Sequence, residues 1–296
     1  MHLNKINESV YYIDSAVNMG MVVNNQGEAL LIDTGIDEST GKKVLKLIQG
    51  AGFKLSGIML THSHADHCGG APHLVKATGA GVYATGLEKG VIESPLWEPL
   101  YLFSGAYPPS PLLNKFFMAP GVAVDHTVTP GAASAGGITV EIVDLAGHSP
   151  GQIGVAAGGV LFCADSVIAP EVVEKHGIPL NSHLARAMDT FDLLETRKDS
   201  LFIPAHGSPV SDLKPVVEAN RSRVMETLST ILHLLDKPLT AEEILAGACS
   251  QRGISITNIG QQCLMNLTIM AYLAYLLEEG RIAVSYDSNR QFFTRI

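Results

Sequence analysis

The sequence predicts an α/β domain followed by a small α+β unit, and three observations carry that reading. Over roughly the first ninety residues, apolar strand-like runs alternate with segments of helical spacing, as when helices cover a sheet. Residues with metal-ligating or acid–base chemistry stand immediately after apolar runs, at the strand ends where sites are usually built. From about residue 215 the pattern changes to three helical segments and a hairpin, the layout of a winged-helix domain. The expected division is 1–213 and 214–296.

The elements follow in order. VYYI (10–13), MVVNN (21–25) and ALLIDTG (29–35) read as strands, the last ending in a polar turn. ESTGKKVLKLIQGAGF (38–53) has apolar residues at helical spacing and glycine at its end. SGIMLTHSH (56–64) is a buried strand running into a histidine cluster, GGAPHLVKATGA (69–80) a helix and GVYAT (81–85) a strand. Residues 90–127, rich in Pro and large apolar side chains, hold neither period for long, so a long irregular insertion is expected, lining a pocket, forming a homodimer interface or packing under the second domain. Strands resume at GITVEIVDLAG (137–147), and QIGVAAGGVLFCADS (152–166) forms a hairpin turning at Gly158-Gly159. LARAMDTFDLLETRK (184–198) is an amphipathic helix and SLFIPAHG (200–207) a short strand. Helices follow at 216–236, at 239–251 with Thr240 and Glu243 as a capping box, and at 257–280, then a hairpin turning at 287–289.

With 296 residues, 46% of them hydrophobic, the chain can bury a large core. The net charge of −9 opposes a nucleic-acid partner, which would call for a basic face. Segment 215–296 carries seven basic against eight acidic residues, and its third helix has no Lys or Arg between Asn258 and Leu277. That apolar helix is expected to pack on the first domain or on another subunit. The four cysteines form no C-x-x-C pair, no run reaches about 18 apolar residues, and MHLNKINESV has no apolar leader core. A cytoplasmic protein without a membrane partner is the expectation.

THSHADHCGG (61–70) concentrates the chemistry. His62 and His64 stand two apart after a strand, so both side chains address one ion, while Asp66 and His67 on the following turn address a second. His148, Asp165 and His206 each follow a later apolar strand, which makes enough donors for two adjacent ions. Cys68 is expected to be a buried small hydrophobe and not a ligand. His73 and His126 are expected to be structural or surface histidines, and His183 is a candidate for the pocket wall.

The run THSHADH resembles the H-x-H-x-D-H signature of the metallo-β-lactamase superfamily, and LIDTG, GHSPGQ, FCADS and PAHG resemble its other motifs in the same order. The resemblance spans about residues 8–210. It implies a four-layer αβ/βα sandwich with a dinuclear site at one edge. By the same resemblance, His62, His64 and His148 bind one ion, Asp66, His67 and His206 the other, Asp165 bridges them, and Asp33 orients a ligand. Hydrolases of this superfamily with a winged-helix-like C-terminal domain are similar to the whole chain.

Two divalent ions would acidify a bridging water, so the expected reaction is hydrolysis of an ester, thioester or lactone, with Asp66 holding the hydroxide or moving a proton. Zinc is the expected metal, and iron or manganese suits the same donors. The substrate is expected to be a small molecule, acyl or otherwise hydrophobic. GHSPGQ looks most like the glyoxalase II type of thioesterase, yet the basic residues that hold glutathione there have no clear counterpart. Alternatives are a mononuclear-iron oxygenase similar to persulfide dioxygenases and, behind it, a phosphodiesterase or nuclease.

Overall fold

A computed structural model describes residues 1–296. The first sheet has seven strands in sequential order: β1 (His2–Lys5), β2 (Val10–Asp14), β3 (Met19–Val23), β4 (Glu28–Ile32), β5 (Lys54–Met59), β6 (Gly81–Thr85) and β7 (His126–Val128). β1 to β4 are antiparallel, and β4 to β7 are parallel. The parallel steps need crossovers. Helix α1 (Glu38–Gly50) makes the first, and the short turn α2 (Ala65–Cys68) with α3 (Ala71–Thr78) makes the second. The second sheet runs β12 (Leu201–Pro204), β11 (Val160–Ala164), β10 (Ile153–Ala157), β9 (Ile138–Asp144), β8 (Gly131–Ala135).

The sheets face each other through Val22, Leu30, Ile32 and Met59 on one side and Val140, Ile142, Val155 and Phe162 on the other. The outer face of the first sheet packs on Val44 and Ile48 of α1 and Leu74 of α3. The outer face of the second packs on α7 (Leu184–Thr196) and α8 (Lys214–Leu234). Four layers result, because β3 and β11 are buried along their whole length and need apolar cover on both faces. In β9 alternate positions are exposed, as its ITVEIVD pattern requires.

Two expectations need correction. The 90–127 segment is not irregular throughout. It holds the end of α4 (Gly86–Glu93), then α5 (Trp97–Leu102), a 3-10 turn at Ser110–Leu112 and the start of β7. These pieces are too short to show a period, and contacts with other elements decide their form. The second sheet also begins before residue 137, because GAASA forms β8 beside β9. Helix α6 (Pro170–His176) likewise lacks a sequence signal beyond its first proline. The glycine pair of the β10–β11 hairpin lies where expected, with both residues at positive φ as its tight turn demands.

Beyond residue 213 come α8, α9 (Ala241–Gln251), α10 (Ile259–Glu278) and the hairpin β13 (Ile282–Asp287)–β14 (Arg290–Arg295). The capping box at Thr240 and Glu243 is formed. A single apolar cluster crosses residue 213, joining Leu161 and Cys163 of β11 and Phe191 of α7 to Val224 of α8, Leu245 of α9, Tyr272 of α10 and Phe293 of β14. The apolar α10 therefore packs within the same chain, and its far face meets the insertion through Leu264 and Leu267 against Leu102, Leu112 and Phe117.

Candidate metal centre

β5 is parallel to β4, β12 is parallel to β11, and β9 is two antiparallel steps from β11. The loops after β4, β5, β9, β11 and β12 therefore converge on one edge of the sandwich, carrying Asp33, residues 61–67, His148, Asp165 and His206. The glycines that close THSHADHCGG serve this convergence. A methyl group on Gly69 or Gly70 would strike the carbonyl oxygens of Ile36 or Thr34. Backbone and hydroxyl of Thr34 both donate to the His67 carbonyl, at 2.7 and 2.9 Å, which locks the two loops.

His64 Nδ1 lies 3.1 Å from His62 Nε2 and 2.9 Å from His148 Nε2. The other nitrogens of the last two rings are already committed. His148 Nδ1 donates to the Leu180 carbonyl at 2.9 Å. The Thr61 hydroxyl donates to Asp33 at 2.8 Å, so its oxygen is left to accept from His62 Nδ1 at 3.1 Å. Both Nε2 atoms therefore turn lone pairs toward His64, an arrangement that favours a cation between the three rings.

The second group lies beside the first. His67 Nδ1 donates to Asp33 at 2.8 Å, while its Nε2 faces Asp165 at 3.3 Å. His206 Nε2 lies 3.6 Å from Asp66 and 3.4 Å from Asp165, and Asp165 also stands 3.6 Å from His148. His62–His64–His148, His62–His67–Asp165 and Asp66–His67–His206 each converge with donor atoms within 4.8 Å. His67 Nε2 and Asp165 Oδ1 are buried without a hydrogen-bond partner. Buried polar atoms are rarely left so, and metal ions placed among these imidazoles and carboxylates would satisfy them. The donor set fits divalent ions on that ground.

The protonation pattern is uneven. Burial, helped by the neighbouring rings, holds His62 well below the usual imidazole range and His64 down to about 3. Burial pulls the same way on His67 and His206, but facing carboxylates overcome it, raising His67 well above that range and His206 to about 10. Burial pushes Asp66 up, yet His67 and the His206 hydrogen bond bring it to about 2.

The other candidates separate cleanly. Cys68 is 3% exposed, donates to the Ser63 and His64 carbonyls, and burial raises its thiol well above normal. It lies in the core beside α3, as expected. His73 sits 3.7 Å from Glu38, and His126 is exposed and stacks on Tyr83. His183 lies on the N-terminal side of a helix. It caps α7, accepting from the Arg186 N–H at 3.4 Å, and lies outside the cavities of the site. As in other residues ahead of a helix, local capping claims the side chain.

Sequence reasoning missed Glu88, Glu98 and Asn220. Glu88 is buried and accepts from the Ser63 N–H at 2.9 Å, the Ser149 hydroxyl at 2.6 Å and the Gly151 N–H at 2.7 Å, stapling the His62–His67 loop to the His148 loop. Asn220 of α8 accepts from the Ile168 N–H and donates to the Ile168 carbonyl, fixing the loop after Asp165. No sequence spacing announces either contact.

Two cavities, of 390 Å³ and 250 Å³, meet at His64, Glu98, His148, Leu180 and Leu264. The larger is walled by Phe116 and Phe117 of the insertion, Val172 of α6, and Met265 and Thr268 of α10. The smaller is walled by Leu87, Val91 and Leu102 with Leu264 and Leu267 of α10. Neither is lined by a lysine or arginine. The insertion thus forms pocket wall and packs under α10 at once. Lys115 ties it to the α1 cap, Asp37, at 2.8 Å.

A family model described as the metallo-beta-lactamase superfamily matches residues 12–206. Among curated relatives, a hydroxyacylglutathione hydrolase of Methylobacillus flagellatus is 28% identical over 146 residues, 49% of this chain and 46% of the relative. An atrochrysone carboxyl ACP thioesterase of a Cryptosporiopsis species is 24% identical over 245 residues, 80% of this chain and 64% of the relative. The chain spans about half the length of the first relatives it matches. Among solved structures, the metallo-beta-lactamase family protein TTHA1429 from Thermus thermophilus superposes with a TM-score of 0.73 at 19% identity, covering 98% of this chain and all of that one. A beta-lactamase domain protein from Burkholderia ambifaria gives 0.75 at 19% identity, covering 99% and 94%.

Proposed function

The chain belongs to the metallo-beta-lactamase superfamily, and on that premise we propose that it is a metal-dependent hydrolase of uncharged, largely apolar acyl esters, thioesters or lactones. The observation that carries this is the cavity, which opens on His64 and His148, carries apolar side chains from the insertion and α10 beside the histidines and carboxylates, and is lined by no lysine or arginine. The carboxylates of a glutathione conjugate, which lie away from the reacting carbonyl, would find no lysine or arginine on this wall. Relatives named as thioesterase and hydroxyacylglutathione hydrolase support the reaction class.

His62, His64 and His148 would hold one ion, and Asp66, His67 and His206 the other, with Asp165 between them. Zinc is the metal proposed. Ions held there supply an acidified water and polarise a carbonyl oxygen. The chain's own side chains do the rest. Asp33 and the Leu180 carbonyl aim the rings, and Asp165 faces both donor groups. Asp66, whose side chain is 36% exposed and lines the larger cavity, moves a proton from the attacking water to the departing thiolate or alkoxide, which leaves as the thiol or alcohol. Phe117 and Leu264 line the larger cavity and give it apolar surface. Cys68 and Cys163, the cysteines nearest the site in sequence, are buried in core clusters and supply no nucleophile.

Metal analysis with a substrate panel tests the reading. Two zinc ions per chain and turnover of acyl thioesters, esters or lactones are expected. Asp165→Ala should lower the metal content and reduce kcat/KM by more than the ~10–100-fold typical of an outer partner. One iron per chain with oxygen consumption, turnover of phosphodiesters alone, or full activity in Asp165→Ala would overturn it.

A further inference from the structure

The metal centre leaves one carboxyl in the cavity without a task. Glu98, on α5, is 5% exposed and lines both cavities where they meet. Its surroundings shift its ionisation only through burial and the charges of Asp66 and Glu88, with no hydrogen bond to either oxygen. Glu88 provides the contrast, since the same residue type in the same wall meets three donors. A carboxyl that no protein group meets, on the wall of a cavity, is left to water until a ligand group replaces that water. Here it lines the space where a ligand would lie.

We propose that Glu98 is a specificity-determining residue, accepting a hydrogen bond from an O–H or N–H on the acyl chain of the substrate. The proposal rests on the acyl-hydrolase reading above. The chemistry narrows the ligand in three ways. The wall of that arm includes Leu87, Val91, Leu102, Leu264 and Leu267, which suit a hydrocarbon stretch of the chain beside the hydroxyl or N–H. Glu88 lines the same arm and no lysine or arginine does, so an anionic group there would find no cationic side chain. A hydroxyl or amide N–H suits either ionisation state, because a carboxylate accepts through both oxygens and a carboxylic acid through its carbonyl oxygen. Burial, with the charges of Asp66 and Glu88, raises the Glu98 carboxyl well above the usual range.

Non-hydrolysable ligands separate this proposal from the reaction. Straight-chain methyl ketones, with and without one hydroxyl placed at successive chain positions, would be titrated calorimetrically into the zinc-loaded protein. Wild type should bind one hydroxylated ketone about tenfold tighter than the plain one, the range of a single hydrogen bond to such a group. Glu98→Leu should abolish that preference, bind the plain ketone at least as well, and leave Tm unlowered, because the carboxyl makes no hydrogen bond within the protein. Glu98→Gln, nearly isosteric, should keep part of the preference through its amide oxygen. Equal affinity for all ketones in wild type overturns the proposal. So does an unchanged preference in Glu98→Leu, or an equal loss of both ligands with a lower Tm, which would mark a structural residue. Turnover of thioesters by wild type is scored separately, so failure of the hydrolase reading is visible on its own.

Discussion

Asp33 does more for the site than its distance from the cavity suggests. One oxygen takes the Thr61 N–H, and the other takes the Thr61 hydroxyl and His67 Nδ1, all at 2.8 Å. One carboxylate thereby fixes a ring in each donor group, directly for His67 and through Thr61 for His62. It does so at φ 61°, a left-handed conformation that costs a non-glycine residue about 1 kcal/mol. Asp33→Asn, which turns an N–H₂ toward one of those donors, should weaken metal binding by about 10–100-fold as read by chelator competition. Loading should also release protons. His206 titrates at about 10 and His67 well above its usual range, so at neutral pH both are protonated before a cation arrives. Metal affinity should fall as pH falls, and calorimetry in buffers of different ionisation enthalpy should show proton release. Binding without proton exchange would contradict the assigned donors. The aspartate was legible in LIDTG, but the Thr61 relay was not, because it depends on which way a hydroxyl points.

At the scale of elements, Glu88 shows how α4 organises loops from both sheets. In Glu88→Gln the amide must set an N–H₂ against a backbone N–H or the Ser149 hydroxyl. The change should cost about 1–3 kcal/mol in urea unfolding and loosen the metal site. Thr240→Ala removes the capping box of α9, far from the metal centre. It should cost about 1 kcal/mol and leave metal content and turnover unchanged. These two sites also mark what a sequence can show. The capping box is readable because its partners stand three residues apart. Glu88 meets Ser63 and Ser149 across the fold, 25 and 61 positions away, and no local pattern encodes that. The same holds for β8, α5 and α6, whose few residues take their form from β9, α10 and α8. The long strands and α1, α7, α8 and α10 were legible because each repeats its period several times.

Across the whole molecule, the segment after residue 213 is built into the site. Asn220 holds the loop after Asp165, and α10 gives Leu264, Met265 and Thr268 to the cavity. Its apolar face was readable, but not the surface it covers. A chain ending at residue 213 would bare β11 and α7, and it should be recovered aggregated or with its α/β circular dichroism and zinc content lost. A soluble, metal-loaded fragment would show that the cluster spanning residue 213 is dispensable. Leu180 joins these scales. Its carbonyl sets the His148 ring, and the same residue walls both cavities. A ligand that displaces this strand of chain must also disturb the imidazole, so occupancy of the pocket and affinity for the cation become thermodynamically linked. Reciprocity then requires that whatever factor the ligand imposes on cation binding, the cation imposes on the ligand.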